Sequence, residues 1–336
     1  MAERYKYVDI AVVMLSYNHE AWISRAIESV LMQRTSASFK IYIHDDASTD
    51  RSQDVIRTYR DRFPEKTECI FQQENQYSKG RGIGQFILPK LNCKYVAMCE
   101  CDDYWTDRDK LQIQYEYMEA HKKCMYTFGN AVFVSLNGAI QKKFMWHQWK
   151  HDQIGKKLRY KNGACFTPEE LILTEFTPTA TTMFRSLLWQ HIADYQDQFD
   201  LTTRLAAAEH GYGYYFNRIM AAYRSGNACS ANGQASASFT SYKKLYFERH
   251  LHTLREFDRR TQGRFRDTVR ISVERKRLYV YQRFLMIRKM RQCPAYQDLV
   301  FEYKMRCYLK KYCRWLYEVM KNLGAVYTRI RYGEDK

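Results

Sequence analysis

The sequence predicts an α/β fold with a central, mostly parallel β-sheet, followed by a helical and basic C-terminal extension. Apolar, β-branched runs alternate with segments of helical periodicity over the first 110 residues, which is typical of a covered parallel sheet. Charge is concentrated at the other end: residues 240–336 contain 25 lysines and arginines against 10 acids, whereas the first 239 residues carry a net charge of only +2. We therefore expect one near-neutral globular domain over residues 1–239 and an appended segment over residues 240–336.

The bulk composition excludes several classes of protein. Apolar residues make up 46% of the chain, which is too many for a disordered protein. No run approaches the roughly 20 apolar residues that a membrane-spanning helix needs, and the charged N-terminal residues do not form a signal peptide. The ten cysteines are scattered, without the paired spacing of a zinc site, so we expect them to be reduced. These features predict a cytoplasmic protein.

The first strand is predicted over residues 9–16, where the apolar run is typical of a strand buried on both faces. Asn18 is the expected N-cap of the helix that follows, because apolar residues then recur at helical spacing over residues 22–31. A second strand is predicted over residues 39–43, and a second helix presents its apolar face over residues 55–63.

The third and fourth strands are predicted over residues 68–72 and 95–98, with a short helix over residues 85–91 between them. The order is therefore β-α-β-α-β-α-β. Right-handed crossovers turn this order into a parallel sheet covered by helices on both faces.

Three of the four predicted strands end in polar clusters. These clusters are Ser16-Tyr17-Asn18, Asp45-Asp46 and Glu100-Cys101-Asp102-Asp103. Because the carboxyl ends of parallel strands meet at one edge of a sheet, and ligands bind there, the clusters predict a shared site. Carboxylate oxygens suit Mg²⁺ or Mn²⁺, usually shared with substrate phosphates. For the third cluster alone, a solvated acidic loop is an equal alternative.

The motifs at these positions together resemble those of the family 2 glycosyltransferases of GT-A type. A strand ends in SYN, DDxSxD follows at residues 45–50, and ECDDYWTD at residues 100–107 precedes KLQ. The last motif is similar to the EGDDYWTDPxKLQ of a bacterial subgroup, with Cys101 for Gly and Arg108 for Pro, and no carboxylate is lost. The resemblance covers residues 8–225 and implies a nucleotide-sugar-binding domain, with a nucleotide-binding half over about residues 8–110 and an acceptor-side half over residues 111–239.

The resemblance implies a metal ion, Mn²⁺ or Mg²⁺, as the cofactor. Asp102 would bind it, and the metal would act as Lewis acid and template for the diphosphate of a nucleotide sugar. Asp103 would assist the metal or the donor sugar. Glu100 would reach the ribose, or the metal through water.

The resemblance also implies the nucleotide-binding residues. Asp45 or Asp46 would accept the imide N–H of uracil, and Tyr17, between Ser16 and Asn18, offers a ring on which the base could stack. A tyrosine at the edge of the core is an equal alternative for Tyr17. In the loop before the fourth strand, Lys79 and Arg81 are candidates for the diphosphate, although surface solvation explains at least one of them.

Further along, Phe199-Asp200, Gly211 and Tyr223-Arg224 resemble the GD…G…YR pattern of the family, which makes Asp200 the catalytic base. A base at the start of a helix would take the proton of the acceptor hydroxyl as it attacks the sugar. The alternative is a simple helix N-cap. The family often has a metal-site His after the YR pair, which this chain lacks, and nothing in the sequence assigns His19 or His210 to the metal.

The C-terminal extension shows apolar residues at helical spacing, and such a stripe most often packs on a core. Its net charge of +15 needs another explanation. An anionic membrane surface and nucleic acid would both attract it. We favour the membrane and expect no nucleic-acid partner, which places the protein at the inner face of the cell membrane as a peripheral protein.

The predicted function is therefore that of an inverting, metal-dependent glycosyltransferase. It would move a sugar from a nucleotide sugar, expected to be UDP-linked, to a glycan or lipid-linked saccharide in surface polysaccharide synthesis. One alternative is a nucleotidyltransferase on a similar α/β frame, but the chain lacks a Gly-rich phosphate loop after the first strand. The other is a non-enzymatic nucleic-acid-binding protein, which leaves the acidic edge without a purpose.

Overall fold

The computed structural model describes residues 6–320 apart from positions 80, 82–83, 144–148, 150–152, 176, 194, 196–198 and 227–237. The strands are β1 (Val8–Ser16), β2 (Phe39–Asp45), β3 (Thr67–Phe71), β4 (Cys93–Met98), β5 (Tyr104–Trp105), β6 (Cys124–Val134), β7 (Ile140–Lys143), β8 (Ala164–Phe166), β9 (Met183–Arg185) and β10 (Tyr212–Arg224). The helices are α1 (Ile23–Leu31), α2 (Ser52–Arg62), α3 (Gly84–Ile87), α4 (Lys110–Ala120), α5 (Ile154–Lys157), α6 (Pro168–Leu173), α7 (Leu187–Ala193), α8 (Phe199–His210), α9 (Phe239–Tyr242), α10 (Arg249–Arg260), α11 (Arg266–Arg283), α12 (Ile287–Gln292) and α13 (Phe301–Tyr312). A π-helical stretch, Lys243–Glu248, joins α9 to α10.

The first half of the sheet is parallel, as the sequence predicts. β1 pairs with both β2 and β4, and β2 pairs with β3, all in parallel. The four strands begin and end within two residues of their predicted limits. β1 is the longest and most buried of the four, with an apolar run that a strand covered on both faces accommodates, whereas β3 is short and mostly half-buried.

The second half of the sheet is mixed. β9 lies between β4 and β6 and is antiparallel to both, whereas β6 and β10 are parallel. β5 and β8 add antiparallel pairs to β10, and β7 adds one to β6. The α/β fold is confirmed, with its parallel pairs mainly among β1 to β4.

Two apolar layers lie on the two faces of the sheet. Ala11 and Val13 of β1 belong to one buried cluster, and Ile10, Val12 and Met14 belong to the other. Alternate residues of the same strand are therefore buried on opposite faces, which explains its uninterrupted apolar sequence.

The C-terminal helices α10 and α11 pack on the same core as the sheet. Leu254 and Phe257 of α10 and Val269 of α11 belong to the buried cluster that contains Tyr126 and Phe184. The prediction that the apolar stripe packs on a core is confirmed. Removing these helices would expose part of the core of the whole molecule.

Helix α13 leaves large apolar side chains in solvent. Phe301 is 69% exposed and Tyr312 is 64% exposed, and Trp315 beyond the helix is 72% exposed. Within the described residues, none of the helices combines the length and the apolar character needed to cross a bilayer.

The predicted N-cap at Asn18 is wrong. Helix α1 begins at Ile23, and Asn18 adopts a left-handed backbone conformation with φ of +56°. Its side chain instead accepts a hydrogen bond from the backbone N–H of Thr49 at 2.8 Å. Asn18 therefore joins the loop after β1 to the loop after β2, which the sequence pattern alone does not show.

Candidate active site

The three predicted polar clusters lie at one edge of the sheet. Ser16 is in register with Asp45 across β1 and β2, and the backbone N–H of Asp46 donates to the carbonyl of Ser16 at 2.9 Å. The N–H of Cys101 donates to the carbonyl of Leu15 at 3.0 Å. The ends of β1, β2 and β4 are thus joined directly.

The turn after β1 is rigid and partly buried. Ser16 is buried, and its hydroxyl has no hydrogen-bond partner within the described residues. Tyr17 is half-buried. The N–H of Asn18 donates to the hydroxyl of Ser48 at 2.9 Å. The turn thus places a buried hydroxyl, without a partner among the described residues, next to a partly accessible ring.

Both acids after β2 are buried and hydrogen-bonded within the chain. Asp45 accepts from the N–H and hydroxyl of Ser48 and from Gln53. Asp46 accepts from the backbone N–H groups of Gln76 at 2.8 Å and Tyr77 at 3.0 Å. The two carboxylates therefore shape the site by holding its loops, and any contact of theirs with a base would compete with these bonds.

The two predicted cations lie on the exposed rim of that loop. Lys79 forms an ion pair with Glu74 at 2.5 Å, and Arg81 donates to the side chain of Gln76 at 3.1 Å. Since Gln76 binds Asp46, the rim is connected to the edge of the sheet. Both cations are exposed, so neither has a structural role that would prevent it from turning to a phosphate.

The acids after β4 form an electrostatically frustrated cluster. Burial raises the pKa of Glu100 and of Asp103 well above the usual carboxyl range, and repulsion between neighbouring acids, Asp102 included, raises both further. Asp103 accepts the backbone N–H of Arg224 at 2.7 Å through Oδ1, while its buried Oδ2 has no partner among the described residues. Cys101, which stands where the similar motif has Gly, is buried in the core and does not obstruct the acids.

His19 is a site residue that the sequence reasoning left out. Its Nε2 lies 3.8 Å from Oδ2 of Asp102, and both side chains are largely buried. Burial lowers the pKa of the His19 imidazole, against the opposing effect of Asp102. The signal that could have found it is its position: it directly follows the polar cluster at the end of β1.

Asp200 faces the same acids from the other half of the chain. It is the second residue of α8, and its carboxylate accepts a hydrogen bond from the hydroxyl of Thr179 at 2.9 Å. Thr179 is also within hydrogen-bonding reach of Glu100. The carboxylate of Asp200 is accessible to solvent but lies in the wall of a cleft, where desolvation raises its pKa, against the opposing effects of Arg204 and the Thr179 hydrogen bond.

Arg224 is the second residue that sequence reasoning did not assign a role. Its Nε donates to the backbone carbonyl of Asp102 at 2.8 Å, and its Nη1 donates to the carbonyls of Ser135 and Leu136 at 2.9 and 2.8 Å. Together with the backbone bond to Asp103, these contacts fix the loop that carries the acids to strand β10. Arg224 therefore helps to fix the backbone of the loop that carries Asp102.

The cavity that contacts Asp200 is small. The cavity beside Asp200 and Thr203 measures about 10 Å³, which is close to the space of one water molecule. A wider depression of about 450 Å³ lies at Arg34 and Arg218, and it contains none of the acids at the sheet edge. The size of this depression does not make it an active site. The candidate active site is identified instead by the acidic side chains at the sheet edge.

The residues fit a divalent cation. Among the residues that the structure describes, no three His, Cys, Asp or Glu side chains form a ready-made cage. The unpaired Oδ2 of Asp103 and the mutual repulsion of the acids nevertheless mean that a cation bound at this edge would stabilise their ionised forms. Such a partial ligand set is typical of a cation that completes its shell with phosphate oxygens and water.

Comparison with known proteins places the chain among glycosyltransferases. The sequence model of Glycosyl transferase family 2 matches residues 11–191, more than half of the chain. An uncharacterised protein of Mycobacterium tuberculosis is 32% identical over 148 residues, which cover 43% of this chain and 41% of that protein. The Escherichia coli protein WfaP, a UDP-Glc:alpha-D-GlcNAc-diphosphoundecaprenol beta-1,3-glucosyltransferase, is 31% identical over 164 residues, which cover 47% of this chain and 59% of WfaP. The matches thus span less than two thirds of these relatives.

Two solved structures share the fold at low sequence identity. Residues 1–349 of Staphylococcus aureus TarS in complex with UDP-GlcNAc are 13% identical, with a TM-score of 0.51 and coverage of 82% of this chain and 81% of TarS 1–349. The Pyrobaculum calidifontis mannosyltransferase PcManGT in complex with GDP-Man and Mn²⁺ is 12% identical, also with a TM-score of 0.51, and the match covers 98% of this chain and 89% of PcManGT.

Proposed function

This chain belongs to glycosyl transferase family 2, and we propose that it is an inverting, metal-dependent enzyme that transfers a sugar from a UDP-sugar to a glycan or lipid-linked saccharide. It is a glycosyltransferase that uses a nucleotide sugar. The observation that carries the finer proposal is the acidic cluster at the sheet edge, in which Asp102 and Asp200 both act electrostatically on the buried Glu100 and Asp103. Neither alternative function from the sequence has an observation that favours it.

The donor would bind along the edge formed by β1 and β2. Tyr17 would stack on the base, and Ser16 and Asn18 would line the nucleotide through the turn that Ser48 fixes. Asp46 would position the loop at Gln76 and Tyr77, which lies beside the base. Lys79 and Arg81 would then reach the diphosphate from the rim.

Asp102 and Asp103 would hold the metal, and the buried Glu100 would lie next to them. When bound, Mn²⁺ or Mg²⁺ would neutralise charge that develops on the departing diphosphate. The support in this chain is the mutual repulsion of the buried acids, which a cation would relieve, and the attachment of their loop to Arg224. The Mn²⁺ complex of PcManGT is support by analogy from the same fold.

Asp200 would act as the general base. Its carboxylate would take the proton from the acceptor hydroxyl while that oxygen forms a bond to the anomeric carbon and the bond to the diphosphate breaks. The nucleoside diphosphate leaves with the bonding electron pair, and attack from the opposite side inverts the anomeric centre. Thr179 would orient the carboxylate for this step. The raised pKa of Asp200 would make it a better base than an ordinary surface carboxylate.

We propose that the acceptor lies at a membrane surface, because a lipid-linked saccharide is held there by its lipid. WfaP acts on a diphosphoundecaprenol-linked sugar, and the exposed Phe301, Tyr312 and Trp315 lie in a segment rich in lysine and arginine. Aromatic rings and basic side chains together favour an anionic bilayer interface. The protein would thus be peripheral at the inner face of the cell membrane.

The test is a thermal-shift panel with UDP-, GDP- and dTDP-sugars, each with and without Mn²⁺. A ligand that binds only the folded protein raises its melting temperature. We expect a UDP-sugar with Mn²⁺ to give the largest shift and EDTA to abolish it. An equal shift for all three nucleotides would contradict the uracil assignment, and a shift unaffected by EDTA would contradict the metal assignment.

A further inference from the structure

We propose that His19 is a protein ligand of the divalent cation in this cleft, together with Asp102. The inference rests on the proposed function, because it takes the acidic edge to be the metal site. It adds a nitrogen ligand to a site that the sequence motifs describe by carboxylates alone.

The distance between the two side chains suits a shared ion. Nε2 of His19 and Oδ2 of Asp102 are 3.8 Å apart, which is too far for a direct hydrogen bond. Two ligand atoms that each lie about 2.1 Å from one ion are separated by roughly 3 to 4 Å, depending on the angle at the metal. The pair is therefore close enough that a small movement of either side chain would let both atoms bind one cation.

The imidazole has no other polar role within the described part of the chain. Nδ1 is buried without a hydrogen-bond partner, and Nε2 faces Asp102 beyond hydrogen-bonding distance. The side chains of His19 and Asp102 are only 12% and 14% exposed. Buried polar groups are normally hydrogen-bonded, so an imidazole without partners beside a carboxylate indicates a ligand that completes the contact.

The backbone around His19 is held in place before any ligand binds. The N–H of His19 donates to the hydroxyl of Ser52 at 2.8 Å, and the N–H of Glu20 donates to Asp50 at 3.0 Å. In return, the N–H of Arg51 donates to the carboxylate of Glu20 at 3.2 Å. These reciprocal bonds fix the turn after β1 to the start of α2.

The opposite side of the gap is equally rigid. Arg224 binds the carbonyl of Asp102, and the N–H of Cys101 binds the carbonyl of Leu15. Two independently fixed segments thus present an imidazole and a carboxylate to the same point. A simple packing role for His19 would explain its burial but not the approach of Nε2 to Asp102.

A nitrogen ligand has a consequence for metal choice. Mg²⁺ strongly prefers oxygen ligands, whereas the later first-row metals accept imidazole more readily. A site with His19 should therefore bind Mn²⁺ more tightly than Mg²⁺, and this preference should shrink when the imidazole is removed.

The direct test is electron spin echo envelope modulation on the full chain with Mn²⁺ and UDP. We expect modulation from a directly bound ¹⁴N nucleus in the wild-type protein and none in His19→Gln. Bound Mn²⁺ without nitrogen coupling in the wild type would overturn this inference while leaving the proposed function intact. A wild-type protein that binds UDP but takes up no Mn²⁺ would overturn the inference and the metal part of the proposed function together.

Affinity measurements provide the second readout. His19→Gln should weaken Mn²⁺ binding in the presence of UDP by at least roughly tenfold, because even outer-shell changes at metal sites cost this much. His121→Gln is the matched control, since the exposed ring of His121 stacks on Tyr117 at 4.0 Å, away from the acids. Melting temperatures in EDTA show whether the variants are folded; unchanged Mn²⁺ affinity in folded His19→Gln would overturn the inference.

Discussion

The hydroxyl of Thr179 donates a hydrogen bond to Oδ1 of Asp200 at 2.9 Å, and the same side chain lies against Glu100. A threonine hydroxyl has one hydrogen, so it can donate to only one carboxyl at a time. Thr179 thereby connects the acid that would take the acceptor proton to the acids that face the donor. The two halves of the chain meet at this residue.

Replacing Thr179 with Val should move the acid limb of the pH–rate profile to higher pH. The hydrogen bond from Thr179 favours the ionised form and so lowers the pKa of Asp200. Without it the pKa rises further, and because the base works only when ionised, activity is lost at a higher pH as the pH falls. The measurement is kcat/KM for UDP release between pH 5 and 9.

Thr182→Val is the control for that profile. Thr182 lies in the same turn, but its hydroxyl donates to the backbone carbonyl of Thr179 at 2.8 Å and, among the residues that the structure describes, makes no hydrogen bond to a carboxylate. The acid limb of the pH–rate profile of Thr182→Val should coincide with that of the wild type. Identical profiles for Thr179→Val and Thr182→Val would show that Thr179 does not influence the base.

Asp102→Asn should remove metal-dependent turnover. An amide keeps the shape of the side chain but loses the charge that the cation needs. Since a metal contributes several kcal/mol to stabilising the departing diphosphate, we expect a loss of roughly 100-fold or more. The loss is measured by comparing the turnover of a UDP-sugar by the variant and by the wild type at varied Mn²⁺ concentration.

Asp109→Asn is the matched variant for this measurement. Asp109 is partly exposed and forms an ion pair with Arg34 at 2.7 Å, outside the acidic cluster. It should retain wild-type metal dependence. Full activity of Asp102→Asn would refute the assignment of the metal site.

Arg224→Lys should destabilise the protein and weaken Mn²⁺ binding together. Lysine keeps the charge but cannot reproduce the planar contacts to the carbonyls of Asp102, Ser135 and Leu136. Losing buried hydrogen bonds of this kind costs about 1–3 kcal/mol of the free energy of unfolding. Urea denaturation measures the free energy of unfolding, and Mn²⁺ titration measures the affinity for the metal.

The same strand contains a control for Arg224. Arg218 is half-exposed and pairs with Asp107 at 2.8 Å, away from the loop of Asp102. Arg218→Lys should change the free energy of unfolding by less than about 1 kcal/mol and leave Mn²⁺ affinity unchanged. An Arg224→Lys variant with normal Mn²⁺ affinity would show that the loop is positioned by other contacts.

Removing exposed aromatic rings near the C-terminus should weaken binding to anionic vesicles. Truncation before Tyr242 is an unsuitable test because Leu254 and Phe257 belong to the core. The double variant Phe301→Ser, Trp315→Ser keeps the fold, since both rings are exposed. Burying two large apolar side chains in a bilayer interface contributes several kcal/mol, so flotation should fall at least roughly tenfold.

Tyr160→Ser is the control for the vesicle experiment, because Tyr160 is 52% exposed and lies outside the basic extension. It should float like the wild type. Equal flotation of the double variant and the wild type would contradict membrane association through this surface.

The sequence predicts the first half of the sheet closely because its apolar strand runs alternate with segments of helical periodicity, and β1 is long and buried on both faces. It does not predict that β9 lies between β4 and β6, since Met183–Arg185 is a three-residue strand whose place depends on partners far along the chain. Short strands have little periodicity to read. Tertiary pairing decides their position.

The same limit applies to the site. The acids could be found because they end strands, whereas the roles of His19 and Arg224 depend on contacts with Asp102, 83 and 122 residues away along the chain. The internal hydrogen bonds of Asp45 were equally invisible, because DDxSxD shows the acids but not which groups donate to them. Spacing identifies which residues to examine, and packing decides what each one does.

The most direct test of the account is a comparison of donor binding and transfer in Asp200→Asn. If Asp200 takes the acceptor proton, this variant should bind a UDP-sugar with Mn²⁺ as tightly as the wild type, while transfer falls by roughly 100-fold or more. Calorimetry and UDP release on the same preparation give both values. Loss of donor binding in parallel with transfer, or transfer at the wild-type rate, would contradict the proposal that Asp200 is the base of this cleft.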